Sequence, residues 1–251
     1  ISAGGSGTTN INGMILNSGS IVNRNSHVIN IYDASVENDR ISIYNNNVGS
    51  IINIYGGFFN STKQNNVSNT GTINIYGGTI TSTTGNSITN TGTINIGSKD
   101  GNVSTEMPVV TGKTYGVSNE NSGKVNFYDG IVSGESGAFY GTVNEVEPGY
   151  KIVTNKTDTL TSATLTLVGD DEKVAVLNGI NFTSLQDAIN SASDTNESII
   201  TLYKDVTFES NITVPANKNI KLYLNGYTLN KGSYDFTRLQ RRLCVQDDAQ
   251  N

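Results

Sequence analysis

The sequence predicts an all-β protein, a parallel β-solenoid (right-handed β-helix) in which short strands stack coil upon coil. Three observations carry this prediction: a recurring segment of alternating Ile and Asn, glycine pairs that follow it, and a composition poor in helix formers. The chain has 251 residues, of which 35 are Asn and 27 Gly, and only 15% are charged. Asn, Gly, Ser and Thr compete poorly for helix interiors, so a helical bundle is disfavoured. Recurrent Ile and Val at low charge also disfavour disorder.

The repeat emerges when the segments of alternating Ile and Asn are aligned. Their central Asn residues follow one another at steps of 23, 21, 21 and 31 residues, at Asn30, Asn53, Asn74, Asn95 and Asn126. The longest step carries extra residues, which the Gly-rich and Pro-containing stretch 99–110 supplies as a loop. A unit of about 21 residues is too small to bury its own apolar face, so it must stack on copies of itself.

Alternation of Ile with Asn has period two, which places Ile on one face of a short strand and Asn on the other. We therefore expect the Ile side chains to stack inside the coils, with Asn and Thr outside, at Ile52, Ile54, Ile73, Ile75, Ile94 and Ile96 and at Asn53, Asn74 and Asn95. Asn and Gly between the strands supply the corners. An antiparallel sandwich also has short strands at regular spacing, but repetition in register favours the solenoid.

The second half of the chain has a different pattern. Alternating residues at 159–167 predict a strand, and a new pattern begins at Val174. Thr183 or Ser184 can cap a short helix over 185–192, whose apolar residues share one face. Strands are predicted at 199–203, 212–214 and 220–224, followed by a turn at 225–226. A helix before a new strand series is typical of a cap on the open end of a second solenoid segment.

This organisation predicts four regions. They are β-solenoid repeats at 1–147, connecting strands at 148–172, a helix-capped start of a second β-helix at 173–237, and an atypical tail at 238–251. The first residue is Ile1 and no basic segment with an apolar stretch follows it, so we expect any export signal to lie outside these residues. The single cysteine, Cys244, excludes an internal disulfide and a Cys-based metal site.

Several segments resemble a known group of proteins. Residues 97–104, 108–110, 115–117 and 126–134 are similar to secreted surface proteins of Gram-positive gut anaerobes, which carry right-handed β-helix repeats of the form G-x-I-N-I-x-G-G-x-I. Residues 182–190, 200–206 and 222–229 resemble the start of pectate-lyase-like β-helix domains in such proteins. The resemblance covers about residues 20 to 232 and implies fold and surface display. It implies no particular chemistry, because these repeats mostly have none assigned.

Enzymes of the β-helix fold have characteristic site residues, which can be compared with those of this sequence. Asp170 and Asp171 are similar to the paired aspartates of inverting β-helix glycosidases, but the accompanying Gly-His-Gly is missing and the sole histidine, His27, is far away in sequence. A solvated turn is the favoured interpretation of this pair, and His27 is interpreted as an exposed strand residue. Calcium repeats and Asp-rich calcium loops do not occur in the sequence. We therefore predict no catalytic residues, no metal site and no cofactor.

One set of residues has side chains of a type that can bind sugars. Tyr32, Tyr55, Tyr76 and Tyr128 occupy the same register after the Ile-Asn strand, in a column interrupted at Gly97. Aromatic faces on a rigid ladder can stack on sugar rings. The alternative, which we favour, is that each Tyr closes a corner and packs on its neighbours along the axis.

The resulting functional hypothesis is a non-enzymatic, extracellular segment that serves as a rigid stalk or adhesive surface of a bacterial surface protein. Its expected partners are host or bacterial glycans or surface proteins. A net charge of −6 with scattered Lys and Arg argues against nucleic acid, and no apolar run is long enough for membrane insertion. Two alternatives stay open: a degenerate or partial polysaccharide lyase or hydrolase of the β-helix fold, and a phage tail-spike segment, which would form trimers.

Overall fold

The structure is a computed structural model that describes residues 1–99, 106–238 and 243–247. It has two compact units. The first unit comprises Ile1–Glu147 and Ile152–Leu165, and the second comprises Pro148–Lys151 and Thr166–Asn251. Half of the predicted loop at 99–110, residues 100–105, lies outside the described residues.

The first unit is built from short strands, most of three to five residues. In chain order they are β1 (Ser2–Ala3), β2 (Gly7–Ile11), β3 (Met14–Leu16), β4 (Ile21–Asn23), β5 (His27–Ile31), β6 (Ala34–Asn38), β7 (Ile43–Asn45), β8 (Ile51–Ile54), β9 (Phe58–Ser61), β10 (Val67–Asn69), β11 (Thr72–Ile75), β12 (Thr79–Ser82), β13 (Ile88–Asn90), β14 (Thr93–Ile96), β15 (Val109–Gly112), β16 (Tyr115–Asn119), β17 (Lys124–Phe127), β18 (Ile131–Gly134), β19 (Gly137–Tyr140) and β20 (Glu145–Val146). A hairpin of β21 (Tyr150–Lys156) and β22 (Thr161–Leu167) follows, and the division between the units runs through it.

Each coil of the first unit contributes one strand to each of three sheets. Sheet A has the order β1-β4-β7-β10-β13-β16-β19, sheet B the order β2-β5-β8-β11-β14-β17-β20, and sheet C the order β21-β22-β18-β15-β12-β9-β6-β3. Neighbouring strands within a sheet are three apart in sequence order and run parallel, until β22 pairs antiparallel with β18. This is the predicted parallel β-solenoid, and it excludes the antiparallel sandwich.

The register of sheet B confirms the predicted stacking of the Ile residues. Ile52 pairs with Ile73, which pairs with Ile94, and the residues two positions on pair in the same way. All six predicted core isoleucines have no exposed surface. Branched apolar side chains directly above one another exclude water along the whole column, which is the main source of the unit's stability.

The glycine pairs of the repeat mark a corner between sheets B and C. Gly57 and Gly78, the second residue of each pair, have φ of +111° and +87°. A Cβ at Gly57 would lie 2.4 Å from the carbonyl oxygen of Ala34 in the preceding coil. Glycine is therefore required twice over, for the backbone conformation and for the close approach of the coils.

The outward Asn residues of sheet B form a hydrogen-bonded ladder, which we call the outer Asn ladder. Each side-chain amide donates to the carboxamide oxygen of the preceding coil, for example Asn74 Nδ2 to Asn53 Oδ1 at 2.7 Å and Asn95 Nδ2 to Asn74 Oδ1 at 2.6 Å. The same bond joins Asn30 to Asn10 and Asn126 to Asn95. The predicted alignment of Asn53, Asn74 and Asn95 on the face opposite the isoleucines is confirmed.

A second Asn ladder lies inside the solenoid. The sequence did not predict it, because we expected the Asn side chains on the outer face. Its members, the inner Asn ladder, are Asn45, Asn69, Asn90 and Asn119, of which the first three are buried. The first three each donate to the next member of the ladder at 2.8 or 2.9 Å, in the direction opposite to the outer ladder. Asn69 Nδ2 also bonds the carbonyl oxygens of Gly71 and Thr93, both at 3.0 Å. These bonds offset the cost of burying the amides.

The second unit contains the predicted helix and a further set of strands. These are β23 (Ala175–Leu177), β24 (Ile180–Phe182), α1 (Leu185–Ser191), β25 (Glu197–Leu202), β26 (Val206–Thr207), β27 (Ile212–Val214), β28 (Asn219–Tyr223), β29 (Leu229–Asn230), β30 (Phe236–Arg238) and β31 (Leu243–Gln246). Ser184 caps α1 by accepting a bond from the backbone N–H of Asp187 at 3.0 Å. Leu185, Ala188 and Ile189 are buried in the core of this unit, as their spacing predicts.

Sheet D of the second unit has the order β24-β23-β25-β28-β31. β23 and β24 form a tight hairpin through Asn178 and Gly179, both with positive φ, as the favoured two-residue turn requires. β25, β28 and β31 pair in parallel and continue the solenoid pattern. β31 belongs to the segment predicted as an atypical tail, and its Cys244 pairs in register with Lys221.

Candidate functional site

The tyrosine column predicted from the sequence forms a continuous stack over three coils. Tyr32, Tyr55 and Tyr76 each follow directly after a strand of sheet B. The ring centroids of Tyr32 and Tyr55 lie 4.9 Å apart and those of Tyr55 and Tyr76 lie 5.1 Å apart, with interplanar angles of 9° and 29°. Parallel strands are about 4.8 Å apart, so the coil spacing brings the rings into face-to-face contact. We call these three residues the tyrosine stack.

Stacking covers the ring faces that a sugar would need. Both faces of Tyr55 are occupied by its two neighbours, whereas Tyr32 at the end of the stack is 48% exposed. Burial raises the pKa of the Tyr76 hydroxyl above its ordinary value, and the neighbouring Tyr55 adds to this effect. The geometry is that of a corner closed by aromatic packing, in which the middle ring, Tyr55, has a neighbour on each face.

Tyr128, the fourth member of the predicted column, takes a different role. Gly97 occupies the intervening coil with φ of +79°, which interrupts the column. The Tyr128 hydroxyl donates to Glu145 Oε2 at 3.0 Å, and Glu145 also pairs with Lys99 at 2.5 Å. Burial, followed by the nearby Glu145 carboxylate, raises the pKa of Tyr128 well above its ordinary value. Tyr128 is thus held by polar contacts, outside the tyrosine stack.

We expect Tyr55→Ala to lower the free energy of unfolding by about 2 kcal/mol. The change removes two aromatic contacts, each worth about 0.5–1.5 kcal/mol. Tyr32→Ala is the control, because it removes one contact from a more exposed ring and should have about half the effect. Urea denaturation followed by circular dichroism measures both. An unchanged unfolding midpoint for Tyr55→Ala would contradict a structural role for the stack.

Asp170 and Asp171 lie in a turn of the second unit. Asp170 Oδ1 accepts bonds from Lys173 Nζ at 3.1 Å and from Asn181 Nδ2 at 3.2 Å. The bond from Lys173, followed by the bond from Asn181 and the positive charge of Lys173, holds the pKa of Asp170 below its usual range. A general acid of a glycosidase needs the opposite, a raised pKa. These contacts are those of a structural turn.

His27 was predicted to be exposed, and this expectation is wrong. Its side chain is in the interior of the first unit, with 8% of its surface exposed, and Nε2 lies 2.9 Å from Thr9 Oγ1. Gly7 of the preceding coil lies beside the His27 ring, and a Cβ on Gly7 would lie 3.3 Å from the imidazole. The missing side chain in one coil therefore makes room for the ring in the next. Among the described residues, no cluster of three or more His, Cys, Asp and Glu could hold a metal ion.

Each unit has a cleft on its described surface. The cleft of the second unit has a volume of about 530 Å³, and its lining includes the start of α1, residues 205–210 and Ile212. Of the two carboxylates in its lining, Asp205 accepts two bonds from Thr228, at 2.8 Å each, which lower the pKa of Asp205. Asp205 is therefore committed to joining β26 and β29.

The cleft of the first unit has a volume of about 340 Å³ and is lined by aromatic and amide side chains. They are Asn65, Asn86, Thr114, Tyr115, Ser118 and Tyr140, together with Gly85. Sequence reasoning missed this site, since Tyr115 and Tyr140 stand at different positions of the repeat. A signal was present in part: Asn65 and Asn86 are 21 residues apart, which is one coil.

Comparison with known proteins adds no relative. The chain matched no protein-family model, no curated protein and no solved structure at a significant level. Among the described helices, none has the length and apolar character needed to cross a membrane. Inference about function therefore starts from the fold and the surface geometry.

Proposed function

We propose that this chain is a non-enzymatic β-solenoid segment that serves as a rigid stalk or adhesive surface of an extracellular bacterial protein. The observation that carries this proposal is the continuity of the Ile columns and of both Asn ladders through successive coils of the first unit. Such continuity is what a load-resisting rod requires, because every coil is bonded to the next by backbone and side chains alike.

The dimensions of the first unit suit this role. Sheets A and B each contain seven strands. With parallel strands about 4.8 Å apart, seven coils extend for roughly 30 Å along the axis. Repeats of this kind contact only their neighbours, so copies added to a chain lengthen the rod without changing its cross-section. A protein can in this way display a surface at a set distance from its attachment point.

The extracellular and bacterial parts of the proposal rest on the resemblance of the repeats to secreted surface proteins. The non-enzymatic part is supported by the contacts of Asp170, one member of the carboxylate pair that the sequence singled out. Asp170 is bonded to Lys173 and Asn181, and its pKa is lowered. A general acid for glycoside cleavage needs a raised pKa, so the contacts of Asp170 do not favour that role for it.

Incubation with polysaccharides tests the absence of catalysis. We expect the full chain to release no oligosaccharides from polygalacturonate, xylan or β-glucan, as measured by reducing ends and by absorbance of unsaturated products. The double variant Asp170→Asn, Asp171→Asn should behave like the unmodified chain. Cleavage that is lost in the double variant would overturn the proposal and favour the degenerate lyase or hydrolase.

Localisation needs a separate measurement. Antibodies raised against the chain should label intact cells of the organism that makes it, and permeabilisation should add little further signal. Antibodies against a cytosolic protein serve as the control for cell integrity. Labelling that appears only after permeabilisation would contradict an extracellular location.

A further inference from the structure

The cleft of the first unit lies on the outward side of sheet A and spans four consecutive coils, from Asn65 just before β10 to Tyr140 on β19. Tyr115 belongs to β16, Tyr140 to β19, and Asn86 lies beside the start of β13. Tyr140 is 54% exposed, whereas the residue that pairs with it in register, Ser118, is buried. The ring of Tyr140 thus stands at the surface above a small hydroxyl side chain, and the cleft opens beside it.

The two rings of this cleft are arranged differently from the tyrosine stack. Their centroids are 5.4 Å apart, but their planes are inclined by 47°. Rings at this angle diverge, so part of their faces is left uncovered. Gly137 is the residue that pairs with Tyr115 in the next coil. A Cβ there would lie 3.3 Å from the Tyr115 ring, so glycine at this position keeps that side of the ring open.

The amide side chains of the cleft are fixed by bonds to the backbone. Asn65 Oδ1 accepts from the backbone N–H of Asn86 at 3.0 Å, and Asn65 Nδ2 donates to Thr89 Oγ1 at 2.8 Å. Asn86 Oδ1 in turn accepts from the backbone N–H of Tyr115 at 3.2 Å. Within the described part of the chain, no acceptor is bonded to Asn86 Nδ2. An amide donor is therefore held in place beside two aromatic rings and has its hydrogens available.

The chemistry of the lining defines the class of ligand. Of the seven described residues that line the cleft, none is charged. Aromatic faces attract the apolar C–H face of a pyranose ring, and neutral amides and hydroxyls form hydrogen bonds with its hydroxyl groups. A carboxylated or sulfated sugar would lose hydration without gaining a cationic partner in the lining.

We propose that the cleft formed by Tyr115, Tyr140 and Asn86 binds a neutral sugar residue of a glycan chain. This inference rests on the proposed adhesive role and gives that role a specific site. The sugar ring packs against the open faces of Tyr115 and Tyr140, and Asn86 Nδ2 donates to one of its hydroxyl groups. Because the amides are already fixed, little side-chain freedom is lost when the ligand binds.

Affinity electrophoresis of the full chain tests this site. Gels contain a neutral polysaccharide, either β-glucan, xylan, galactomannan or mannan, or else polygalacturonate as the charged probe. We expect retardation by at least one neutral polymer and none by polygalacturonate. Tyr140→Ala and Tyr115→Ala should each weaken the association about ten-fold, and Asn86→Ala several-fold. Tyr32→Ala is the matched control, because it removes an exposed tyrosine elsewhere in the same unit and should leave retardation unchanged.

Further measurements separate a binding defect from a folding defect. The Tyr140→Ala variant should keep the circular dichroism spectrum of the unmodified chain and unfold in urea at a midpoint close to that of Tyr32→Ala, since each change removes one aromatic contact from a ring that is about half exposed. Gly137→Ala, at a position without positive φ, leaves both rings in place but fills the space beside Tyr115. We expect it to weaken binding while keeping the unfolding midpoint.

The outcomes distinguish this site from the general proposal. Binding of a neutral polymer that survives the changes at Tyr115, Tyr140 and Asn86 overturns the site and leaves an adhesive role intact. Retardation by none of the neutral polymers, or only by polygalacturonate, also overturns the site. Cleavage of a bound polymer overturns the non-enzymatic function, whichever residues bind it.

Discussion

Replacing Asn69 by Ala is expected to lower the free energy of unfolding by about 3–5 kcal/mol. Asn69 Nδ2 donates to Asn90 Oδ1, at 2.8 Å, and to two backbone carbonyls, while its Oδ1 accepts from Asn45 Nδ2 at 2.9 Å. Alanine removes all four of these hydrogen bonds, although Asn90 Oδ1 keeps a bond from the Gly92 N–H and Asn45 Nδ2 keeps one to the Thr72 carbonyl oxygen. Each hydrogen bond lost inside the solenoid costs about 1 kcal/mol, so the four together account for the expected loss.

The control for this prediction is Asn74→Ala in the outer Asn ladder. Asn74 also bonds two neighbouring amides, but it lies on the outward face and is half-buried. Water can replace the lost bonds there, so we expect a cost below about 1 kcal/mol. Urea denaturation measures both variants, and hydrogen exchange should show lost protection in β10 and β13 only for Asn69→Ala. Equal effects of the two changes would contradict a structural role specific to the inner ladder.

Phe59→Ala is expected to lower the free energy of unfolding by a similar amount, because it removes a buried apolar side chain. Phe59 on β9 has no exposed surface and lies between Val36 and Ile80 of the adjacent coils. Truncating a buried Phe to Ala removes its transfer free energy and leaves a cavity, at a total cost of about 3–5 kcal/mol. The coils cannot collapse to fill the space, because their separation is set by the parallel strand spacing on every side.

The preceding residue provides the control. Phe58 is on the same strand with its side chain outward and 38% exposed. We expect Phe58→Ala to cost less than about 1 kcal/mol, because little buried volume is lost. Thermal and urea unfolding of the two single variants measure the difference directly. A cost at position 58 as large as that at position 59 would contradict the inward and outward assignment of β9.

The core of the first unit could be predicted from the sequence in detail. Ile52, Ile73 and Ile94 recur at a constant step, and a one-residue slip would have turned every isoleucine to the solvent. In-register stacking is therefore the one arrangement that buries them all. The helix α1 was also accessible, since Ser184 and the one-face spacing of Leu185, Ala188 and Ile189 are local features.

The inner Asn ladder illustrates what local patterns omit. In β10, Val67 and Asn69 both point inward and Ser68 points outward, so alternation alone requires a buried amide. Average preferences place Asn at the surface, because an unpaired buried amide is costly. The partner that removes this cost, Asn90, is one full coil away. Its availability becomes evident only when the coils are stacked.

The exposure of the tyrosine ring faces could be predicted from the sequence even less than the inner Asn ladder. The column of Tyr32, Tyr55 and Tyr76 was evident from the register, but the angle between their rings decides whether a face is open or covered. Tyr115 and Tyr140 share no repeat position, and they meet because β16 and β19 are adjacent in sheet A.

The sequence by itself determined the period of the repeat, the solenoid class and the isoleucine core, because these follow from the spacing of residue types along the chain. The tertiary structure decided which polar groups are satisfied inside the coils, how His27 came to be buried beside Gly7, and where aromatic faces remain open. Those properties depend on side chains that are one coil apart in space but about 21 residues apart in sequence, and pairing between coils is what brings them into contact.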